Sequence, residues 1–169
     1  MFYEKDKPLV FMGSDHAGYE AKGLLKPFVE SLGFVVTDLG AFDANPIDYP
    51  DVAREVGEKV LEHAKEGALG VLICGTGVGM SIAANKLKGI RAALVTDENL
   101  AEMSRKHNDA NVLAMGARTT DIELMKKITE KFLKTPFEAE ERHLRRVEKM
   151  DKMNIAPAKT GDGQDGATC

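Results

Sequence analysis

Cysteine is scarce in this chain: only Cys74, inside an apolar run, and Cys169, the last residue of a small polar segment, are present. So placed, they are poor partners for a disulfide, and both are expected as reduced thiols. Long apolar stretches are also missing. The longest runs, 70–74 and 90–95, fall far short of the roughly 20 residues that cross a bilayer. Positive charge is not in excess either. Lys and Arg total 23 against 27 Asp and Glu, for a net charge of -4, so there is no overall attraction to nucleic acid and any anion must be met locally. The first residues, MFYEKDKPLVFMGSDHAG, carry acidic groups and run straight into a strand pattern. They lack the charged and apolar regions of a secretory signal, so a cytoplasmic protein is expected.

Several catalytic signatures are absent as well. There is no CxxC, no HxxxH and no carboxylate-rich loop; with its histidines scattered, the sequence implies no metal. GxSxG and GxxxxGK[ST] are missing, and GTGVG (75–79) falls short of the GxGxxG dinucleotide fingerprint.

The pattern that remains is regular. Five short apolar segments, 9–13, 34–39, 69–74, 90–96 and 112–115, suit buried parallel strands. Between and after them, 19–32, 52–64, 80–87, 98–106 and 121–133 carry apolar residues at helical spacing. This alternation predicts an open, five-stranded parallel sheet with helices on both faces. Pro136 ends the helix before it, and 137–153 reads as an extra, charged C-terminal helix that reaches outward to a partner subunit. At 169 residues one core is expected, giving a single domain over 1–153. The polar, glycine-rich stretch 154–169 is expected to be a disordered tail.

In such a sheet, ligands bind beyond the carboxyl ends of the strands. The polar residues of interest fall there. VLICGTGVGMSIAANK (71–86) leads from a strand through Gly75, Gly77 and Gly79 into a helix. That turn either gathers backbone N–H groups around an anion or serves close packing alone. Cys74, at the strand's end, is either a buried small hydrophobe or a thiolate able to act as base or nucleophile. Asp15 and His16 follow the first strand, as a helix cap with a solvated imidazole or as a pair that binds hydroxyls and phosphate. His107 and Asn108 end a helix, as a cap or as site residues. Arg142 and Arg146, four apart with His143 between them, form either a solvated basic face or a phosphate clamp, and Arg118 closes the fifth strand.

Taken together, GSDHAGYEAK (13–22), DYP (48–50), ICGTGVGMSIAANK (73–86), SRKHNDANVLAMGAR (104–118) and ERHLRRVE (141–148) resemble the type B ribose-5-phosphate isomerases. The resemblance runs from about residue 9 to 150. It implies a Rossmann-like three-layer α/β/α sandwich and a homodimer with sites at the subunit interface, with a tetramer as a further option. It also implies interconversion of ribose 5-phosphate and ribulose 5-phosphate with no cofactor or metal.

By that resemblance Cys74 is the base that moves a proton between C2 and C1. Members with the other known arrangement have Glu where this chain has Met80, which cannot titrate. The amides of Gly75, Gly77, Val78 and Gly79 would hold the enediolate. His107 would open the sugar ring, with Asp15 and the Thr76 hydroxyl assisting. Tyr49 would line the sugar, Asn108 would hold its hydroxyls, and His16, Arg142 and Arg146 would bind phosphate with Arg118 beside them. His107, Asn108, Arg142 and Arg146 from one chain would then meet Cys74 of the other.

Isomerases of allose 6-phosphate or galactose 6-phosphate share most of these motifs. A non-catalytic sugar-phosphate-binding subunit and a thiol redox protein are alternatives of other classes. The second of these lacks a resolving cysteine near Cys74.

Overall fold

The computed structural model describes residues 7–153; the segment expected as a tail lies outside the described residues. Five strands, β1 (Leu9–Ser14), β2 (Val35–Asp38), β3 (Leu69–Cys74), β4 (Ala92–Leu94) and β5 (Val112–Gly116), form one sheet in the order β2-β1-β3-β5-β4. All four pairings are parallel. Six helices accompany them: α1 (Tyr19–Ser31), α2 (Tyr49–Glu62), α3 (Val78–Ala84), α4 (Glu98–Asn108), α5 (Ile122–Lys134) and α6 (Glu141–Asp151).

The two-residue alternation along each strand separates two cores. Val10, Met12, Val71, Ile73, Leu113 and Met115 face the layer of α1, α4 and α5, where Leu25, Val29, Ile128 and Phe132 cover them. Phe11, Leu72, Cys74 and Val112 face the opposite layer, built from Val52, Val56 and Val60 of α2 and Met80 and Ala84 of α3. Cys74 therefore points toward α2 and α3, and Met80 is wholly buried beside it in that core.

Element boundaries move where local chemistry dictates. Helix α2 begins at Tyr49, three residues before the apolar periodicity starts, because Pro50 supplies a preformed φ in the first turn. The edge strand β4 keeps only three of the seven residues expected for it. The C-terminal helix starts at Glu141 rather than at 137. Residues 137–140 form an irregular link instead, tied to the end of α4 by the Glu138 amide, which donates to the Lys106 carbonyl at 3.1 Å. Helix α6 then lies on α4 of its own chain through His143 and Val147, while Arg142, Arg145 and Arg146 face outward.

The sheet order places a topological switch between β1 and β3, since the chain leaves β1 toward one edge and β3 toward the other. The crevice beyond their carboxyl ends is where ligands bind in this architecture. Asp15 and Cys74 flank it.

Candidate active site

The turn after β3 is held from both flanks. The Asp15 amide donates to the Ile73 carbonyl at 3.2 Å, and the Asp15 carboxylate accepts the Gly18 amide at 3.0 Å. Asp15 is thus buried and fixed one residue from Cys74. Gly18 is required there: a methyl group on it would sit 2.4 Å from the Ile73 carbonyl oxygen. On the other flank, the Ala117 and Arg118 amides donate to the Cys74 and Gly75 carbonyls at 2.8 and 2.9 Å. The pairing of β3 with β5 therefore continues into the loops, and the exposed Arg118 guanidinium folds back over Gly75.

Within the turn, the Cys74 sulfur accepts the Gly77 amide at 3.1 Å, and the Thr76 hydroxyl lies 3.4 Å from the Val78 amide. The backbone donors are thus aimed at the sulfur and at the hydroxyl. Gly77 has φ of 79°, and a methyl group there would meet Leu94 and the Met115 backbone at 2.6 and 2.8 Å. The close-packing reading of the glycine turn holds at Gly77, and its amide is directed at the Cys74 thiol. A methyl group at Gly79 would lie 2.7 Å from Cζ of Tyr49, so that half-exposed ring rests directly on the start of α3. Asp15, Cys74, Gly75, Thr76, Gly77, Val78, Gly79, Tyr49 and Arg118 form one constellation, with the exposed His16 on the β1–α1 loop at its rim.

His107, Asn108, Arg142 and Arg146 lie elsewhere. Helix α4 links two parallel strands, so it must run back against the strand direction. Its 11 residues carry His107 and Asn108 about 16 Å toward the amino ends of the strands. The family resemblance implies that these residues meet Cys74 of a partner chain; within one chain they and Cys74 lie toward opposite ends of the sheet.

At that end the geometry is also well determined. Asp109, in the left-handed region with φ of 46°, closes α4 and accepts from Arg91 and Arg105, each at 2.9 Å. Burial lowers the pKa of Arg105 below its ordinary value, and the Asp109 carboxylate works against that shift. Arg91 also pairs with Asp151 of α6 at 3.0 Å, locking the last helix to α4. The His107 ring packs against His143 at a tilt of 41° with centroids 4.5 Å apart, and Arg142 pairs with Glu140 at 2.9 Å. Asn108 opens on a cleft of about 580 Å³ shared with Arg91, Ser104 and Met150, away from Cys74.

Sequence reasoning missed the Arg91–Asp109–Arg105 clamp. Its only local signal is Asp after Asn at a helix end, a residue type that tolerates the left-handed region. It also missed Lys22, which is buried with its ammonium on Asp38 and the Ala41 carbonyl. Asp97, after β4, is the N-cap of α4, accepting the Leu100 amide at 2.8 Å.

A profile of the ribose/galactose isomerase family matches residues 10–150, most of the chain. The chain belongs to that family. Among its relatives, the probable ribose-5-phosphate isomerase B of Mycoplasma genitalium is 46% identical over 144 residues, spanning 83% of this chain and 92% of its own. Ribose-5-phosphate isomerase B of Escherichia coli is 42% identical over 139 residues, covering 82% and 91%. In three dimensions, the family fold is shared with type B ribose 5-phosphate isomerase of Trypanosoma brucei. That structure gives a TM-score of 0.82 at 40% identity, over 86% of this chain and 97% of that one. The enzyme from Thermotoga maritima gives 0.81 at 41% identity, over 86% and 98%. The five-stranded parallel α/β/α sandwich read from the sequence is therefore the family's fold.

Proposed function

We propose that this protein is an aldose-ketose isomerase that interconverts D-ribose 5-phosphate and D-ribulose 5-phosphate through an enediolate. The observation that carries the reading is the arrangement at the β1/β3 switch: a buried thiol held by the Gly77 amide, with Asp15 fixed beside it. Relatives named as ribose-5-phosphate isomerase B, at 42–46% identity over most of the chain, supply the substrate.

In the aldose-to-ketose direction, Cys74 as thiolate takes the proton from C2 of the open-chain sugar. The C2–H electron pair becomes the C1–C2 double bond, and the carbonyl pair moves to O1, giving the enediolate. Cys74 then returns its proton to C1, while O2 becomes the ketone oxygen as its proton passes to O1. No electron leaves the substrate, so the reaction needs no redox partner. Negative charge on the enediolate oxygens calls for donors that are already oriented. The turn amides and the Thr76 hydroxyl provide them. The Gly77 amide has a further duty, since it holds the sulfur.

Ribose 5-phosphate is mainly cyclic, so a group must first move the ring-opening proton. His107 takes this role, with Asp15 and Thr76 assisting. Asn108 and Tyr49 contact the sugar hydroxyls, and His16, Arg118, Arg142 and Arg146 receive the phosphate. Because α4 carries His107 to the far end of its own sheet, the complete site is built from two chains. His107, Asn108, Arg142 and Arg146 of one protomer face Cys74 of its partner in a homodimer. The exposed side chains of Val78, Ile82, Leu94 and Leu100 give that dimer an apolar surface.

Among the described residues no helix is long and apolar enough to cross a membrane. The test is turnover of ribose 5-phosphate with EDTA present, for the wild-type protein and Cys74→Ala. EDTA-resistant wild-type activity together with an inactive variant is expected. Retained activity in Cys74→Ala would overturn the assignment of the base.

A further inference from the structure

The histidines look scattered along the sequence, but the fold gathers two of them with a carboxylate. One ligand atom each of His107, Glu138 and His143 lie within 4.8 Å of one another. His143 is 2% exposed and its Nδ1 is 3.2 Å from the Glu138 carbonyl oxygen. A carbonyl only accepts, so Nδ1 is the donating nitrogen, and Nε2 is the one that can offer a lone pair to a metal. A backbone carbonyl that fixes the tautomer of a buried imidazole is the supporting contact metal-binding histidines use. His107 is positioned by the same packing, with its ring 4.5 Å from that of His143 at 41°.

Glu138 can join them. One of its oxygens is 3.3 Å from the Lys106 ammonium, but Lys106 also pairs with Glu102 at 2.7 Å and keeps that partner if Glu138 turns away. The Glu138 side chain is 41% exposed, so it can turn toward the imidazoles.

We propose that His107, Glu138 and His143 form a site for Zn²⁺ or a similar imidazole-seeking divalent ion, and that its occupation blocks isomerisation. Two imidazoles and one carboxylate leave a fourth position open and favour Zn²⁺, Co²⁺ or Ni²⁺ over Mg²⁺ or Ca²⁺. The block rests on the ring-opening role assigned above to His107, whose nitrogen cannot carry a proton while it holds a metal. The ion is an inhibitor here and takes no part in the isomerisation.

Co²⁺ titration of the full-length protein, followed by visible absorption and displaced by Zn²⁺, reads the site independently of turnover. One Co²⁺ per chain is expected with a nitrogen/oxygen spectrum, at least tenfold weaker in Glu138→Gln and His143→Gln and unchanged in Cys74→Ala. His143 is buried, so Glu138→Gln, a surface change, decides the matter if His143→Gln does not fold. Co²⁺ binding that is unaffected in Glu138→Gln, or that disappears in Cys74→Ala with a sulfur charge-transfer band, would overturn the site. In the isomerase assay, Zn²⁺ should inhibit the wild type, EDTA should restore it, and Glu138→Gln should need at least tenfold more Zn²⁺. Full turnover with the metal site saturated would leave the site standing and overturn the role of His107.

Discussion

Two inactive variants should restore each other when mixed. On the proposed mechanism and dimer, Cys74→Ala removes the base and His107→Asn removes the ring-opening group, so each variant homodimer alone would have no complete site. Helix α4 runs about 16 Å back toward the amino ends of the strands, so the proposed site takes His107 from one protomer and Cys74 from the other. In a two-fold dimer each site takes Cys74 from one chain and His107 from the other. In the mixed dimer, one site then combines both lesions and the other is fully wild type. If equal amounts of the variants are unfolded together and refolded, random pairing makes about half of the dimers mixed, each with one intact site of two. The expected turnover is about a quarter of the wild-type value at equal total protein. Differently tagged chains would allow the mixed dimer to be purified, and its turnover should be about half that of wild type. A mixture as inactive as its parents, with mixed dimers demonstrably formed, would refute the shared site. So would a monomer with full turnover.

Other outcomes follow from single contacts. Cys74→Ala should lower kcat by at least about a hundredfold, the usual contribution of a positioned base, and should abolish exchange of the C2 hydrogen with solvent deuterium, followed by NMR. Gly79→Ala forces a methyl group to 2.7 Å from the Tyr49 ring; a loss of about 1–3 kcal/mol in denaturant unfolding is expected, together with a raised KM. Asp109→Ala strips Arg91 and the largely buried Arg105 of a shared carboxylate. A loss of about 2–3 kcal/mol is expected, and kcat should fall because the end of α4 that bears His107 loosens. Phe132→Ala empties a fully buried position under the Arg105 guanidinium. It should cost about 3–5 kcal/mol with little change in KM for the molecules that remain folded, measured by thermal unfolding and kinetics in parallel.

The elements were legible because their signals are local. Alternation along 69–74 and 112–115 identifies strands, and the spacing of Val52, Val56 and Val60 identifies a helix, since periods of two and 3.6 are written into consecutive residues. The start of α6 was misjudged for the same reason. Nothing in 137–140 announces that the Glu138 amide will bond to the Lys106 carbonyl some thirty residues away. The cluster around Cys74 could be listed from sequence, because the carboxyl end of every strand is a known address for ligands.

By itself the sequence determined the fold class, the family and the chemical types at hand: one thiol beside a glycine turn, an Asp-His pair and a set of basic groups near the C-terminal end. Those properties follow from short-range patterning and from motifs that each occupy a few consecutive residues. The tertiary structure decided which groups meet. It set Asp15 against the end of β3, rested Tyr49 on Gly79 and aimed the Gly77 amide at the thiol. It also drew His107, Glu138 and His143 into one cluster while carrying them away from Cys74. Such distances depend on strand order and helix direction, which arise only when the whole sheet is assembled, and so no local pattern encodes them.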